Sequence, residues 1–551
     1  MTQFDKKPQP IFDLLARWQT AVSGTNLTPP PTYSGLNHLL TNLVDHTADV
    51  VAGSCFVARV GTQSDGHRFI SKAIAQGALL IVGQQPSEQL SATIPKNVSY
   101  LQVENSSETY AWLSSAWYDF PSYQMTVIGV TGTDGKTTTT NFLHQILQSA
   151  GIQTGLLSTL KAQIGEREEP LALHVTTPEA PVVQRYLRRM VNAGMTHCIL
   201  ETTSHALAQH RVTAVEYDIA IVTNITHEHL DYHGTHDAYV QAKKTLFEYV
   251  AHSNNIKPDN PISKAIIINQ DDPISFKHLS PIHAPQQFRY AIDNQENCQI
   301  TANDIQLNPW STQFQLGLFD SKISITTKMF GLFNIYNMMA AAAAAKHLGV
   351  SEQEIQQGLN NLTQLYGRMQ SIHKGQPFLT IVDFAHTPNG LEKSIDAAKR
   401  VLKEANKNGK IITVFGSAGL RDPEKRTLMA QISGREASLT ILTAEDPRTE
   451  PLDKILDTMA KGVESVGGVE NKTFWRISDR GQAIYAALQL ANPEDLVLIC
   501  GKGHEQSMCF GTIEYPWDDV EATKTALEAW LQNQKMPNLG LPTYEERMEI
   551  Q

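Results

Sequence analysis

Cysteine is scarce: Cys55, Cys198, Cys298, Cys500 and Cys509 are the only five in 551 residues, and none is spaced C-x-x-C. So odd and scattered a set excludes a disulfide framework or a thiolate zinc site and leaves reduced thiols as the expectation. Long apolar runs are missing too. No segment approaches the ~18 consecutive apolar residues of a membrane span, and the opening MTQFDKKPQPIFDLL has no apolar signal core, so a cytoplasmic location is expected. Positive charge is in deficit, with 45 Lys and Arg against 56 Asp and Glu and a net charge of −11. Nucleic acid and anionic membrane both demand a net basic surface, so neither is expected as a partner, and an anionic ligand would need local basic pockets.

What is present is ordinary globular composition, 41% hydrophobic and 18% charged, in a chain long enough for about three domains at roughly 100–200 residues each. Up to Tyr123 short apolar runs (CFVARV, ALLIVG, SYLQV) alternate with helical stretches, and the proline in WYDFPSYQ marks a boundary, giving a first domain of residues 1–123. The pattern then becomes strand, glycine-rich turn, helix: MTVIGV, TGTDGKTTTT and NFLHQILQSAG open a parallel α/β unit. Further strands are expected at THCILE, DIAIVTN and KAIIIN, and NMMAAAAAAKHLG is a helix by propensity alone. After Tyr366 a second α/β series (FLTIVDF, KIITVFG, LTILTAE, DLVLICGKG) begins, so the central domain spans 124–366 and the last 367–551. From about Pro537 the chain reads as a polar tail.

The segment GVTGTDGKTT, residues 129–138, carries what a triphosphate needs. Gly132 and Gly135 let the backbone amides of Thr133 and Asp134 approach phosphate oxygens, and the following helix N-terminus adds positive potential. Lys136 would neutralise the outer phosphates, while Thr137 and Thr138 open the helix, with the Thr137 hydroxyl available to Mg²⁺. The spacing is not that of the common G-x-x-x-x-G-K-T loop. It resembles the nucleotide loop of the Mur ligases and their relatives, and the remaining motifs can be set against that family.

ETTSHALAQHR (201–211) is similar to the family's E-x-S-S-H-x-L-x-x-x-R, and TNITHEHLDYHG (223–234) to T-N-I-x-x-D-H-L-D-Y-H-G. Glu201, at a strand end facing the loop, is a natural hard-oxygen ligand for Mg²⁺; the resemblance makes His229 a second metal-site residue. In AYVQAKKTLF the register A-K-x-x-L-F puts Lys243 at the family's carbamylated lysine, a modification that turns a cation into an oxygen ligand. The resemblance therefore assigns catalysis to Lys136, Glu201, His229 and Lys243, and metal binding to Thr137, Glu201, His229 and Lys243. GLFNIYN (331–337) resembles G-x-x-N-x-x-N, in which Asn334 would read the adenine edge. Arg368 in YGRMQ and Asp383 in VDFAHTP would serve the phosphates and the ribose of ATP.

The family likeness extends to the acceptor and the incoming amino acid. TTPE (176–179) resembles the loop that holds the muramoyl peptide, with Thr176 and Thr177, and Thr203, Gln209 and Arg211 fall on further contacts of that ligand. Arg421 in GLRD, Asp446 and Arg448 in EDPR, and Gly501 and Glu505 in GKGHE are similar to G-D-R-D, D-N-P-R and G-K-G-H-E, which hold the amino acid. An Arg and a Glu in one pocket suit meso-diaminopimelate, which has both a distal carboxylate and a distal amine; Asp446 in place of the motif's Asn adds negative charge and keeps lysine or ornithine open. At the front, HTA (46–48) stands where the family has its D-S-R uridine-diphosphate motif, and Ala48 lacks the cation.

What the resemblance implies is a monomeric three-domain α/β ligase: an N-terminal UDP-sugar-binding domain, a central parallel-sheet P-loop ATPase domain and a Rossmann-like C-terminal amino-acid domain. It would use ATP and Mg²⁺ to join a free amino acid to the D-glutamate carboxylate of UDP-N-acetylmuramoyl-L-alanyl-D-glutamate, through an acyl phosphate, in peptidoglycan precursor synthesis. A folylpolyglutamate synthetase, another Mur ligase, or a nucleotide-binding partner without catalysis are the alternatives.

Overall fold

The structure, a computed structural model, describes residues 7–61, 64–169, 176–226, 230–253, 257, 261–308, 311–329, 331–404 and 408–545. Three sheets organise the chain. Near the N-terminus, Leu43–Val44, Cys55–Val57, Leu80–Gly83 and Ser99–Gln102 pair in parallel, in that order. In the middle lies an eleven-stranded sheet whose centre runs Thr154–Leu157, His197–Glu201, Thr126–Thr131, Ile219–Val222, Ala265–Asn269 and Gln286–Ala291, all parallel. The last sheet has six strands, with Leu379–Asp383, Leu496–Cys500, Ile411–Phe415, Leu439–Leu442 and Phe474–Arg476 parallel.

The central strands are continuous Val/Ile/Leu runs because helices cover both faces, as an all-parallel core requires. Two buried clusters result, one built around Ile128, Phe142 and the alanines of the helix Leu332–His347, the other around Val127, Leu200 and Phe247. The alanine run is buried along its whole length, and its small side chains let the helix press against Lys136–Ser149. The expected α/β architecture with a parallel central sheet is thus found. One addition is the antiparallel meander Ile300–Asn308, Ser311–Leu318 and Ser321–Thr327, which extends that sheet at one edge.

The residues read as a polar tail are packed instead. Met536 and Leu541 are buried, Gln482 donates to the Glu545 carbonyl, and the Thr543 hydroxyl donates to Asp479 at 3.2 Å. Two spaced apolar anchors hold a segment whose average composition is polar. No helix among the described residues is long and apolar enough to cross a membrane, and all five thiols are free.

Candidate active site

The phosphate loop sits where Thr126–Thr131 ends and Lys136–Ser149 begins, at the carboxyl edge of the parallel strands, where open α/β sheets bind ligands. Its glycines are sterically obligatory. Gly132 has φ +148° and Gly135 φ +83°; a Cβ would stand 1.8 Å from Thr223 Oγ1 at the first and 2.4 Å from Asn337 Oδ1 at the second. The loop is braced from the neighbouring strand: Asn224 Oδ1 accepts from Asp134 N at 3.0 Å and Thr223 Oγ1 donates to the Asp134 carbonyl at 2.6 Å. No side chain caps the helix that starts at Lys136, so its first amides are available to an anion. Lys136 Nζ folds back onto the carbonyls of Gly132 and Thr133, at 3.1 and 2.7 Å.

Glu201 closes the strand next to the loop and is 1% exposed. Thr137 Oγ1 donates to both its oxygens at 3.0 and 3.1 Å, and Thr159 donates through its amide at 2.9 Å and its hydroxyl at 3.0 Å. A buried carboxylate served by hydroxyls and an amide beside a phosphate loop is a donor set that fits a divalent cation. Lys243, also 1% exposed, reaches the same loop: its Nζ donates to the Gly132 carbonyl at 2.6 Å and lies 4.5 Å from the centre of the Tyr239 ring. His229 lies outside the described residues.

The C-terminal domain reaches over this loop. Arg368 is half-buried, donates to Thr137 Oγ1 at 3.4 Å and stacks 4.2 Å from the Phe384 ring centre. Burial lowers its pKa, against the pull of Asp383, Glu201 and Asp134, yet a guanidinium keeps its charge. Asp383 has one oxygen taken by Met369 N at 3.0 Å and the other by Ser394 Oγ at 2.6 Å, so it also fastens the Arg368 segment. Asn389 Nδ2 donates to Asp134 Oδ2 at 2.9 Å, tying a C-terminal helix to the loop. Asn334 is buried and accepts from Asn337 Nδ2 at 3.2 Å. Thr138, on the first helical turn, is buried as well.

Between the two domains is a cavity of about 1260 Å³. Thr159 and Thr176 form its central-domain wall, and Arg421, Asp446, Arg448, Gly501 and Glu505 line it from the C-terminal domain. Asp446 Oδ1 accepts from Lys502 Nζ at 3.0 Å and Cys509 N at 2.9 Å. Lys502 also pairs with Glu505. Burial pulls the Lys502 pKa down, but Glu505 and Asp446 outweigh it and hold the ammonium charged. Glu445, on the same wall, has its carboxyl pKa raised by burial and one oxygen unpartnered. Gly501, at φ +117°, makes room for it, since a Cβ would stand 2.3 Å from Glu445 Oε2.

The other expected substrate residues form a separate group toward the N-terminal sheet. Arg211 donates to the Thr177 carbonyl at 2.8 Å and to Gln209 Oε1 at 2.6 and 3.0 Å, and it pairs with Glu179 at 2.9 Å. Thr177 Oγ1 donates to the Glu201 carbonyl and accepts from Thr203 N. Arg59 bridges Glu179 and Asp45, at 2.6 and 2.7 Å, so the two domains meet at this carboxylate.

Sequence reasoning gave no role to Thr159, Asn224, Asn389 or Lys502. Asn224 and Lys502 stand inside quoted motifs, and Thr159 follows a strand end, which is the signal that could have found it. Asn389 touches the loop only through tertiary folding.

A phosphate loop heading a parallel sheet, with an acidic strand end beside it and a second α/β domain across a cavity, defines an enzyme that binds a nucleoside triphosphate between two domains. The Mur ligase middle domain matches residues 130–345, the Mur ligase glutamate ligase domain residues 367–503, and the Mur ligase catalytic domain residues 47–118. UDP-N-acetylmuramyl-tripeptide synthetase of Roseiflexus sp. (strain RS-1) is 37% identical over 91% of this chain and 97% of its own length. UDP-N-acetylmuramoyl-L-alanyl-D-glutamate--2,6-diaminopimelate ligase of Geobacillus thermodenitrificans (strain NG80-2) is 38% identical over 87% of this chain and 93% of its own. A solved structure of a ligase of that same name superposes with a TM-score of 0.60 at 27% identity, covering 91% of this chain and 98% of its own. The chain belongs to the Mur ligase family, whose members are ATP-dependent, ADP-forming peptide ligases.

Proposed function

We propose that this ligase adds meso-diaminopimelate to the D-glutamate carboxylate of UDP-N-acetylmuramoyl-L-alanyl-D-glutamate, at the expense of ATP. The observation that carries the reading is the cavity between the two domains: Thr159 on its central wall donates to Glu201, and its far wall presents Arg421, Arg448 and Glu505. Both relatives act in the tripeptide step by name, and the paired Arg and Glu suit a zwitterionic side-chain end. Asp446 and Glu505 share Lys502, and Arg421 and Arg448 on the same wall offset the remaining negative charge, so Asp446 does not tip the pocket toward a purely cationic amino acid.

In this reading Lys136 and the loop amides hold the β and γ phosphates while Arg368 faces them from the other domain. Mg²⁺ held by Thr137, Glu201 and His229 would supply charge neutralisation between the two polyanionic substrates, and a carbamylated Lys243 would add an oxygen donor. The acceptor carboxylate, positioned by Thr176, Thr177, Thr203, Gln209 and Arg211, attacks the γ-phosphorus and becomes an acyl phosphate as the bond to the β–γ bridging oxygen breaks and ADP leaves. The α-amine of diaminopimelate attacks that carbonyl, and phosphate leaves. Closure of the two domains keeps water from the intermediate. Phosphate release from ATP, measured with the muramoyl dipeptide and each of diaminopimelate, lysine and ornithine, tests this. The reading expects turnover with diaminopimelate; turnover with lysine or ornithine alone would reassign the pocket, and release indifferent to both substrates would refute the ligase reading.

A further inference from the structure

The turn Gly501-Lys-Gly-His504-Glu505 places Lys502 and Glu505 in the ion-paired wall of the cavity, but the imidazole between them takes no part in that pairing. His504 is 8% exposed, lines the cavity, and has no hydrogen-bond partner on either ring nitrogen. Buried polar atoms are nearly always satisfied, so two open nitrogens on a cavity wall point to a group that arrives with the ligand. The position is set by packing. The His504 ring lies 4.4 Å from Phe384, and the same Phe384 ring carries the Arg368 guanidinium at 4.2 Å. Arg368 touches Thr137 on the phosphate loop, whereas Glu505, the next residue, belongs to the amino-acid wall. His504 thus stands on the cavity wall between Glu505 and the Phe384–Arg368 contact that leads to the phosphate loop.

We propose that His504 is the base that accepts a proton from the α-ammonium of the incoming amino acid, an inference that rests on the ligase reading above. An amino acid enters as an ammonium, which has no lone pair to offer. One N–H proton passes to His504, which becomes an imidazolium. The freed lone pair forms the C–N bond at the acyl carbon. The C–O bond to the phosphoryl group then breaks with its electron pair going to phosphate. The departing phosphate takes the second proton from the new amide nitrogen, and the imidazolium returns its own to water.

Burial first, and then the positive charge of Arg368, His386 and Lys502, lower the imidazole pKa, so His504 stands neutral with a free lone pair before reaction, and its gain of a proton depends on the negative charge that the ligands bring. The acyl phosphate brings negative charge toward Arg368, which makes the transient imidazolium less costly at the moment it forms.

The test separates the two halves of the reaction in His504→Ala and His504→Gln, the second keeping the cavity filled. With ATP and the muramoyl dipeptide, the acyl phosphate is trapped by hydroxylamine, which is already an unprotonated nucleophile near neutral pH; with diaminopimelate, amide formation is followed. Both variants are expected to form hydroxamate at close to the wild-type rate and to lose amide formation by about 100-fold or more in kcat. The KM for diaminopimelate should stay within about threefold, and added imidazole should restore part of the alanine variant's rate. Equal losses in both half-reactions, or a raised KM with kcat intact, overturn the proposal. Wild-type protein that forms no hydroxamate overturns the ligase reading and this inference with it.

Discussion

The two edges of the central sheet handle buried charge in opposite ways. At the amino edge, Lys257 donates to the carbonyls of Met125 and Glu216, at 2.8 and 2.9 Å, and to Asp218; Lys264 donates to the Tyr217 carbonyl at 2.6 Å and to Glu216. Asp218 also accepts from Val127 N at 2.8 Å. The network is closed on itself. At the carboxyl edge and across the cavity from it, Lys136 rests on carbonyls alone, and Arg368 Nε, Glu445 Oε2 and both His504 nitrogens have no partner. A buried polar or charged group without a partner is costly, so a chain that closes one edge and leaves the other open is keeping the second for ligands.

The sharpest break of this contrast is Lys136→Ala, which removes the loop's cation. It should lower ADP formation by about 10³-fold or more, on the scale of losses when a charge that stabilises phosphoryl transfer is deleted, with the melting temperature little changed. Glu201→Gln keeps shape but loses the anion, and about a 10²-fold loss in kcat is expected together with a rightward shift in the magnesium titration. At the closed edge the consequence reverses. Lys264→Met strands Glu216, while Asp218 keeps Lys257, and should cost about 3–5 kcal/mol of stability, read by denaturant unfolding, while turnover per folded molecule stays within about twofold.

Acid gives a graded version of the same comparison. Burial drives the pKa values of His144 and His197 down from 6.5 to about 4. The unfolded chain therefore binds these protons first, so their contribution is full above 6.5 and is lost as the pH falls toward about 4. His197→Gln should flatten part of the unfolding free energy's fall across that window; an unchanged slope would exclude His197 as a source. The smallest effect is expected from Asp446→Asn, which shifts the diaminopimelate-to-lysine ratio of kcat/KM by less than about tenfold, because Lys502, Arg421 and Arg448 already offset its charge. A larger switch would mean that the carboxylate contacts the amino acid directly.

What was legible in the chain was whatever chemistry is local. Gly132, Gly135, Lys136 and Thr137 lie within six residues and announce an anion cradle, and the buried Val/Ile runs announce a parallel sheet, because both depend on neighbours in sequence. Long-range pairing was not legible. Asp446 looks like added negative charge until Lys502, 56 positions away, is seen on it. Thr159 has no motif, yet its amide and hydroxyl orient Glu201. The meander strands Ser311–Leu318 and Ser321–Thr327 alternate in burial, covered on one face, a weaker signal than a run buried on both sides.

The account stands on Thr137 and Glu201 gripping a divalent ion that joins the phosphates of ATP to the loop. Crystals grown with a nonhydrolysable ATP analogue and Mn²⁺, measured for anomalous scattering, read that arrangement directly. The predicted result is a metal peak within coordination distance of Thr137 Oγ1 and a Glu201 oxygen, with the triphosphate on the amides of residues 132–137. A bound triphosphate with no metal beside those two side chains, or a loop left empty at saturating nucleotide, would contradict it.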